Sequence, residues 1–403
     1  MTTSEFADAI QKGLGRAVLA VDSFVSEDFA KVILTACVED QRYDRQLEDG
    51  RSDYLMSLVV RAELVDQLLP ILLVPVCESA VAWDRNLQID MLGQFARRSE
   101  SRAWDALVRY ANELNGDAFD VIASVGPQGV EWFVENVLDR IPADEKWRVK
   151  FWAEEIEGLS ESTILALKKA EREFDDWKPT RSTGSGSKRP ETFEEAMEAI
   201  QNGAFYINVL KAIGANLTDE QVLQVAHLWL EESEFRPGNT YRRLFEVREF
   251  PLPVEEITQR IRAGKPPIRF EDMLSRINDP QARELGLQLL TQAEPDWRGF
   301  NCLLGSFIEE DIPILVQTLT EFETYPAEDI HSIGMSLRGM AKKFTPGPRL
   351  SILKWVYENT PCSLCRNGAV ELMIKDNSLP ESYRLELEFD ADSYSRQLVT
   401  KLS

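Results

Sequence analysis

Two cysteines three residues apart, Cys362 and Cys365, are the most chemical-looking pair in the chain. A CxxC at a helix start lowers a thiol pKa and supports disulfide exchange, and it can also supply half of a tetrahedral zinc site. Nothing in the sequence completes either device. There is no second CxxC, and no βαβ pattern surrounds this one. Cys362, Cys365, Ala369 and Leu372 instead share one helical stripe with Met373 beside it, which predicts buried structural thiols. We expect no metal ligands, no cofactor and no catalytic residue. Only two histidines occur, His227 and His331, so an imidazole base would have to be one of them. His227 lies at the edge of an apolar face in Val225-Ala226-His227-Leu228-Trp229, where a hydrogen-bonded core-edge role is expected; His331, near Asp329, is read the same way.

The glycine motifs are incomplete. Gly13-Leu14-Gly15-Arg16-Ala17 lacks the third glycine of a dinucleotide loop and follows no strand. Gly184-Ser185-Gly186-Ser187-Lys188 lacks the Walker spacing, and Gly334-Met335-Ser336-Leu337-Arg338-Gly339 has one residue too many for a nucleophile elbow. Acidic groups such as Glu231-Glu232-x-Glu234 and Glu309-Glu310-Asp311 have no EF-hand spacing and read as solvated helix faces and N-terminal charges.

Two segments suit partner contact better. Residues 41–54 form a long polar interruption between helical patterns, and Tyr43, Arg45, Arg51 and Tyr54 are residue types enriched at interfaces. Residues 236–269 hold eight basic residues (236, 242, 243, 248, 260, 262, 265, 269) against four acidic ones (246, 249, 255, 256). With Tyr241, Phe245 and Phe250 interleaved, Arg242, Arg243 and Arg248 are candidates for docking an acidic peptide or a nucleic-acid backbone. The competing expectation is that this positive charge compensates neighbouring acidic helices.

The elements that position these residues are helices. Trp104, Leu107, Val108, Ala111 and Leu114 keep the i, i+3, i+4, i+7 rule, as do Val130, Phe133, Val134, Val137 and Leu138 behind Pro127. Thr218-x-x-Gln221 is a capping box and Ser26 an N-cap. No period-2 strand and no hairpin turn between alternating runs is found, so the chain is all-α. Helices come in pairs at 86–98 with 101–114, 270–277 with 280–292, 347–359 with 361–375, and 380–388 with 391–402. The second member of each carries an early arginine: Arg102, Arg283, Arg366 and Arg396. Residues 41–53 and 232–268 read as insertions.

Asp279-Pro280-Gln281-Ala282-Arg283 and Asp392-Ser393-Tyr394-Ser395-Arg396 resemble the turn-plus-arginine signature of the HEAT-repeat family of helical hairpins. The resemblance covers about four hairpins. It implies an irregular HEAT-like α-solenoid of paired antiparallel helices, with a curved surface for a protein partner. The Gly/Ser/Pro-rich stretch 179–190 is expected to be a linker or exposed loop between an N-terminal arm, 1–178, and a C-terminal HEAT-like arm, 191–403.

Composition limits the function. Across 403 residues the net charge is −23, with 44% hydrophobic and 28% charged residues. The chain can bury a core, and it lacks the cationic excess that general nucleic-acid binding needs. The start Met1-Thr2-Thr3-Ser4-Glu5 has no basic or apolar leader, and the apolar run Leu68–Cys77, interrupted by Pro70 and Pro75, is shorter than the roughly 20 residues a membrane span needs. Five cysteines (37, 77, 302, 362, 365) are too few, and odd in number, for a disulfide framework, so a reduced, cytoplasmic protein without membrane attachment is expected. The reading is a non-enzymatic scaffold or adaptor that binds a protein through a solenoid surface. The alternatives are a helical-repeat enzyme acting on nucleic acid, of the glycosylase kind, and an acidic inhibitor or immunity-type protein that occupies a basic cleft.

Overall fold

The computed structural model describes residues 1–45, 47–74, 82–113, 116–150, 152–177, 190–203 and 208–401. Most of the expected linker, 179–189, therefore lies outside the described residues, as does Cys77. Among the described residues every regular element is helical: 25 α-helices and four 3-10 turns, with no strand. None of these helices is long and apolar enough to cross a membrane.

The helix starts follow the local chemistry that marks them. Ser26 accepts from the Phe29 amide at 3.1 Å, Thr218 and Gln221 complete their capping box, and Pro127 opens the helix Pro127–Asn136. Asp279 and Asp392 cap Pro280–Thr291 and Ser393–Thr400 by accepting from the second amide of each. Three of the four early arginines brace the turns that precede them. Nη1 of Arg366 donates to the carbonyl of Thr360, and Nη1 of Arg396 donates to that of Asp390, each six residues back. Arg102 bonds Glu100 through Nε at 2.8 Å, while Arg283 reaches forward to the buried carboxylate of Asp311.

The chain divides into two compact units. One consists of Met1–Ser182, Pro361–Ser363 and Leu379–Ser403; the other of Thr183–Thr360 and Leu364–Ser378. The last two helices, Glu381–Leu387 and Ser393–Thr400, thus belong with the N-terminal residues and do not end the second arm. The 232–268 segment is not a plain insertion either, since it builds the helices Phe235–Leu244 and Val254–Arg262.

In the first unit, the return of the C-terminus is a backbone event. The Ala391 amide donates to the Gly13 carbonyl at 2.8 Å, Arg16 pairs with Glu386 at 2.9 Å, and Ser393 bonds the Asp49 carboxylate through its amide and hydroxyl at 3.0 and 2.7 Å. Gly13 sits at φ 71°, ending the first helix, and a Cβ on Gly15 would lie 1.9 Å from the Glu386 carbonyl oxygen. These glycines permit a left-handed turn and a close backbone approach, which is the physical content of the Gly-Leu-Gly motif.

The same corner contains Arg51 and Tyr54. Both were expected at an interface, and both are buried, at 3% and 4% exposure. Nη1 of Arg51 donates to the Ile10 carbonyl at 2.7 Å, and the Tyr54 hydroxyl donates to the Leu14 carbonyl at 3.0 Å. Each carbonyl also accepts from a backbone amide, Ile10 from Gly13 at 3.0 Å and Leu14 from Ala17 at 3.1 Å, so the two side chains add a second donor at the end of the helix Thr3–Gln11 and in the turn beyond it. Arg51 also neutralises buried Glu48 at 3.3 Å. Aromatic packing contributes to the core of this unit, with Phe6 stacked on Phe29 at 4.0 Å and Phe133 in edge contact with Phe119 and Trp152 at 5.1 and 5.0 Å.

Tyr54→Phe is expected to cost roughly 1 kcal/mol by removing the hydroxyl's bond to the Leu14 carbonyl, which keeps the Ala17 amide as a donor. Arg51→Ala is expected to cost roughly 3–5 kcal/mol, because it also removes the cation beside buried Glu48. Urea unfolding of the two variants checks both, with Arg45→Ala as the near-neutral comparison.

Candidate functional site

The second unit holds a cleft of about 560 Å³ built largely by the basic, aromatic segment. Its floor is an aromatic cluster. Trp229 stacks on Phe245 at 5.6 Å, and Phe250 meets both edge-on, at 5.9 and 4.9 Å. Trp229 is 1% exposed and is held by its indole N–H, which donates to the Ile268 carbonyl at 3.0 Å. This satisfies the one polar atom of a side chain otherwise suited to the core. Leu252 and Met273 extend the apolar floor. Beyond the helix Phe235–Leu244 the chain runs over the surface from Phe245 to Leu252, with Val247 49% exposed at its crest. Val247 and Phe250 also line a second cavity of about 590 Å³, so this loop has open space on two sides.

The charged rim is balanced. Arg242, Arg248 and Arg276 face Glu246, Glu249 and Asp272. Arg242, Arg243 and Arg248 each have internal partners. Arg248 donates to the Gly214 and Leu217 carbonyls at 3.0 and 2.8 Å and to Asp219 at 2.8 Å, bracing the turn after Val209–Ile213. Arg242 bonds Asn239 at 3.1 Å and lies 3.4 and 3.7 Å from Glu246 and Asp272. Arg243 and Lys211 both bond Glu246. Burial alone would raise the Glu246 pKa, but these two hydrogen bonds and their positive charges outweigh it and hold the carboxyl at about 2. Arg260 donates to the Leu230 carbonyl and Glu231, and Arg276 to the Phe245 carbonyl. The positive charge that stands out in sequence is thus largely absorbed by helix ends and neighbouring carboxylates.

The first candidate surface divides. Arg51 and Tyr54 are core residues, whereas Tyr43 and Arg45 are half-buried in the loop before the helix Arg51–Arg61. Arg45 lines a shallow cavity of about 410 Å³ with Arg42, Asp49, Asp53, Asp90 and Asp120. Arg42 is committed to Asp40 through two bonds, at 2.9 and 2.7 Å, and to the Leu47 carbonyl. Arg45 and the second-unit arginines belong to different units and form no common patch within either.

Cys362 and Cys365 are buried free thiols, and Sγ of Cys365 lies 3.7 Å from Nδ1 of His331. His227 is exposed, not at the core edge. Gly334 and Gly339 lie inside the helix Ala327–Ala341, where Thr360 and Leu304 side chains occupy the space a Cβ would need. Residues 184–188 lie outside the described residues. The feature that sequence reading missed is the cleft itself, whose signal is the combination of two apolar residues in a surface loop, Val247 and Phe250, with a buried tryptophan behind them.

Searches of family models, of curated proteins and of solved structures return no match to this chain.

Glu271 lies in the helix Phe270–Leu274, which also supplies Asp272 and Met273 to the cleft. It is 7% exposed, and burial, reinforced by Asp272, pushes its carboxyl up to about 6 against the pull of its own backbone amide, Arg269 and Arg298. Its folded pKa exceeds the ordinary 4.5, so the unfolded chain ionises first as pH rises; stability falls between about 4.5 and 6 and stays reduced above. Glu271→Gln is expected to raise stability by ~2 kcal/mol at neutral pH, with the gain vanishing once the carboxyl is protonated in both states. Thermal unfolding across pH checks the sign; a gain that persists at acid pH rules out ionisation as its source.

Proposed function

We propose that this protein is a non-enzymatic scaffold that holds a protein partner on the surface of a HEAT-like helical array. The helix pairs and their turn-bracing arginines support the array, because a single hairpin cannot bury its apolar stripe without stacked neighbours. One observation carries the binding reading: the Phe245–Leu252 loop, with exposed Val247 and half-buried Phe250 bordered by cavities on both sides. An apolar side chain of a partner entering the cleft would meet an aromatic floor and a charge-balanced rim, the composition of a recognition centre surrounded by a polar border. The free cysteines and the absence of a long apolar helix among the described residues support an intracellular, cytoplasmic setting.

The internal engagement of Arg242, Arg243, Arg248, Arg260 and Arg276 weighs against the nucleic-acid alternative. Phosphate binding there would have to compete with ion pairs and helix-end carbonyls already in place.

Affinity capture with the tagged full chain from its native lysate, with and without nuclease, tests this reading. Val247→Glu is expected to lower recovery of a nuclease-resistant, stoichiometric partner by at least roughly tenfold, since a charge would enter an apolar contact. Leu165→Glu, at a 61% exposed position in the other unit, is the control. Equal recovery by both variants would remove the loop from the proposal, and a partner lost on nuclease treatment would favour nucleic acid.

A further inference from the structure

The first unit contains a second cavity, of about 510 Å³, whose chemistry is the reverse of the balanced cleft. Its walls are two tryptophans and three glutamates, with no basic side chain: Trp104, Trp132, Glu100, Glu131 and Glu135, together with small and amide residues. The helix Pro127–Asn136 explains how these groups converge. Val130 and Phe133 point to the core and are fully buried. Gln128, Glu131, Trp132 and Glu135, at i, i+3, i+4 and i+7, form the opposite stripe and line the cavity. Trp132 is half-buried on this stripe. Trp104, from the helix Ser101–Asn112, meets it with ring centroids 6.1 Å apart and planes at 84°, so the two indoles form a corner.

The carboxylates around that corner are poorly neutralised. Glu100 is bonded to Arg102. Glu131 accepts from the Ser160 amide at 3.1 Å, which fixes one of its oxygens, and among the described residues no basic group lies within 4.0 Å of Glu131 or Glu135. The contrast with the cleft of the second unit lies in the lining: there Arg242 and Arg248 pair with Glu246 and Asp219, whereas no basic side chain lines this cavity.

We infer that this corner is a binding site for a cationic side chain, an arginine on a basic segment of a protein partner. A guanidinium stacks on an indole face while its N–H fork bonds a carboxylate. Two perpendicular indoles beside Glu131 and Glu135 provide both halves of that recognition, and the net charge of −23 steers a basic segment toward it. This site deepens the scaffold reading by naming the chemistry of the partner, and it rests on that reading.

The test uses the full chain labelled with fluorotryptophan, whose Trp104 and Trp132 signals are assigned by Trp→Phe replacement. The probe is a blocked peptide with one central arginine, compared with its uncharged citrulline twin. The arginine peptide is expected to shift both signals saturably at low salt, and the citrulline peptide is not. Trp132→Ala and the conservative double variant Glu131→Gln/Glu135→Gln are each expected to weaken binding roughly tenfold. Signals that do not move, or that move equally with citrulline, would overturn the site, and so would unchanged binding by the glutamine variant. Partner capture by that double variant separates the two ideas. Peptide binding that fails while Val247-dependent capture persists sinks the arginine site and leaves the scaffold. Peptide binding that holds while the full chain captures no partner sinks the scaffold reading alone.

Discussion

A fold whose described residues form 25 mostly short α-helices has one recurring problem, the carbonyls at helix ends. Each helix leaves its last turn without intrahelical donors, and a short helix has few internal bonds to set against that cost. In this protein many of these carbonyls accept from backbone amides of the following turn, and at several ends side chains from other elements add donors. Arg51 adds a donor at the end of Thr3–Gln11, Tyr54 adds one at Leu14 in the turn beyond it, and Arg140 bonds the carbonyl of Asn112, the last residue of Ser101–Asn112. Arg248 and Arg260 serve the ends of Val209–Ile213 and Asp219–Glu231. Arg349 bonds the Ala341 and Phe344 carbonyls at 3.0 Å while its other nitrogens hold Asp376, a pair with side chains only 6% and 3% exposed. A guanidinium has five donors in a planar fork, so one side chain can satisfy two carbonyls and a carboxylate together. Adjacent helices are thereby tied through their ends as well as their apolar faces.

This use of arginine shapes the electrostatics available for function. The chain has 45 basic and 68 acidic residues, and many of the basic ones are drawn inward to helix ends. The 236–269 segment, the most basic stretch singled out from sequence, loses its character as an open cationic patch for that reason. What remains to the solvent is the acidic excess, and its least neutralised site described here is lined by Trp104 and Trp132. The two cavities therefore differ for one cause: Arg242, Arg248 and Arg276 are balanced by Glu246, Glu249 and Asp272 around the first, while no basic side chain lines the second.

Local signals in the sequence were read well where they are local in physics. A capping box at Thr218, an N-cap at Ser26, Pro127 in a first turn and the Asp-Pro start at Asp279 each act within four residues, and each takes its expected place. The buried thiols of Cys362 and Cys365 were legible from a helical stripe. The candidate contact residues were legible only by type. Tyr and Arg are favoured at interfaces because they combine apolar area with strong donors, and the same pair of properties suits them to bury against a helix end. Arg51 and Tyr54 took the second role, which no spacing rule distinguishes from the first.

The sequence by itself determined the all-helical class, the helix starts and the acidic balance, because periodicity, caps and charge are properties of neighbouring residues or of sums. Only the tertiary structure decided which charges are neutralised and which chain segments share a core. The last 25 residues, Leu379–Ser403, group with the N-terminal ones through contacts such as Ala391 to Gly13 and Arg16 to Glu386, separated by hundreds of positions. Trp104 and Trp132 form their corner in the same way, from two helices whose separate patterns say nothing of the angle between them. Such pairings are set by which faces and helix ends can be satisfied at once in three dimensions, and that competition is invisible to any window of sequence.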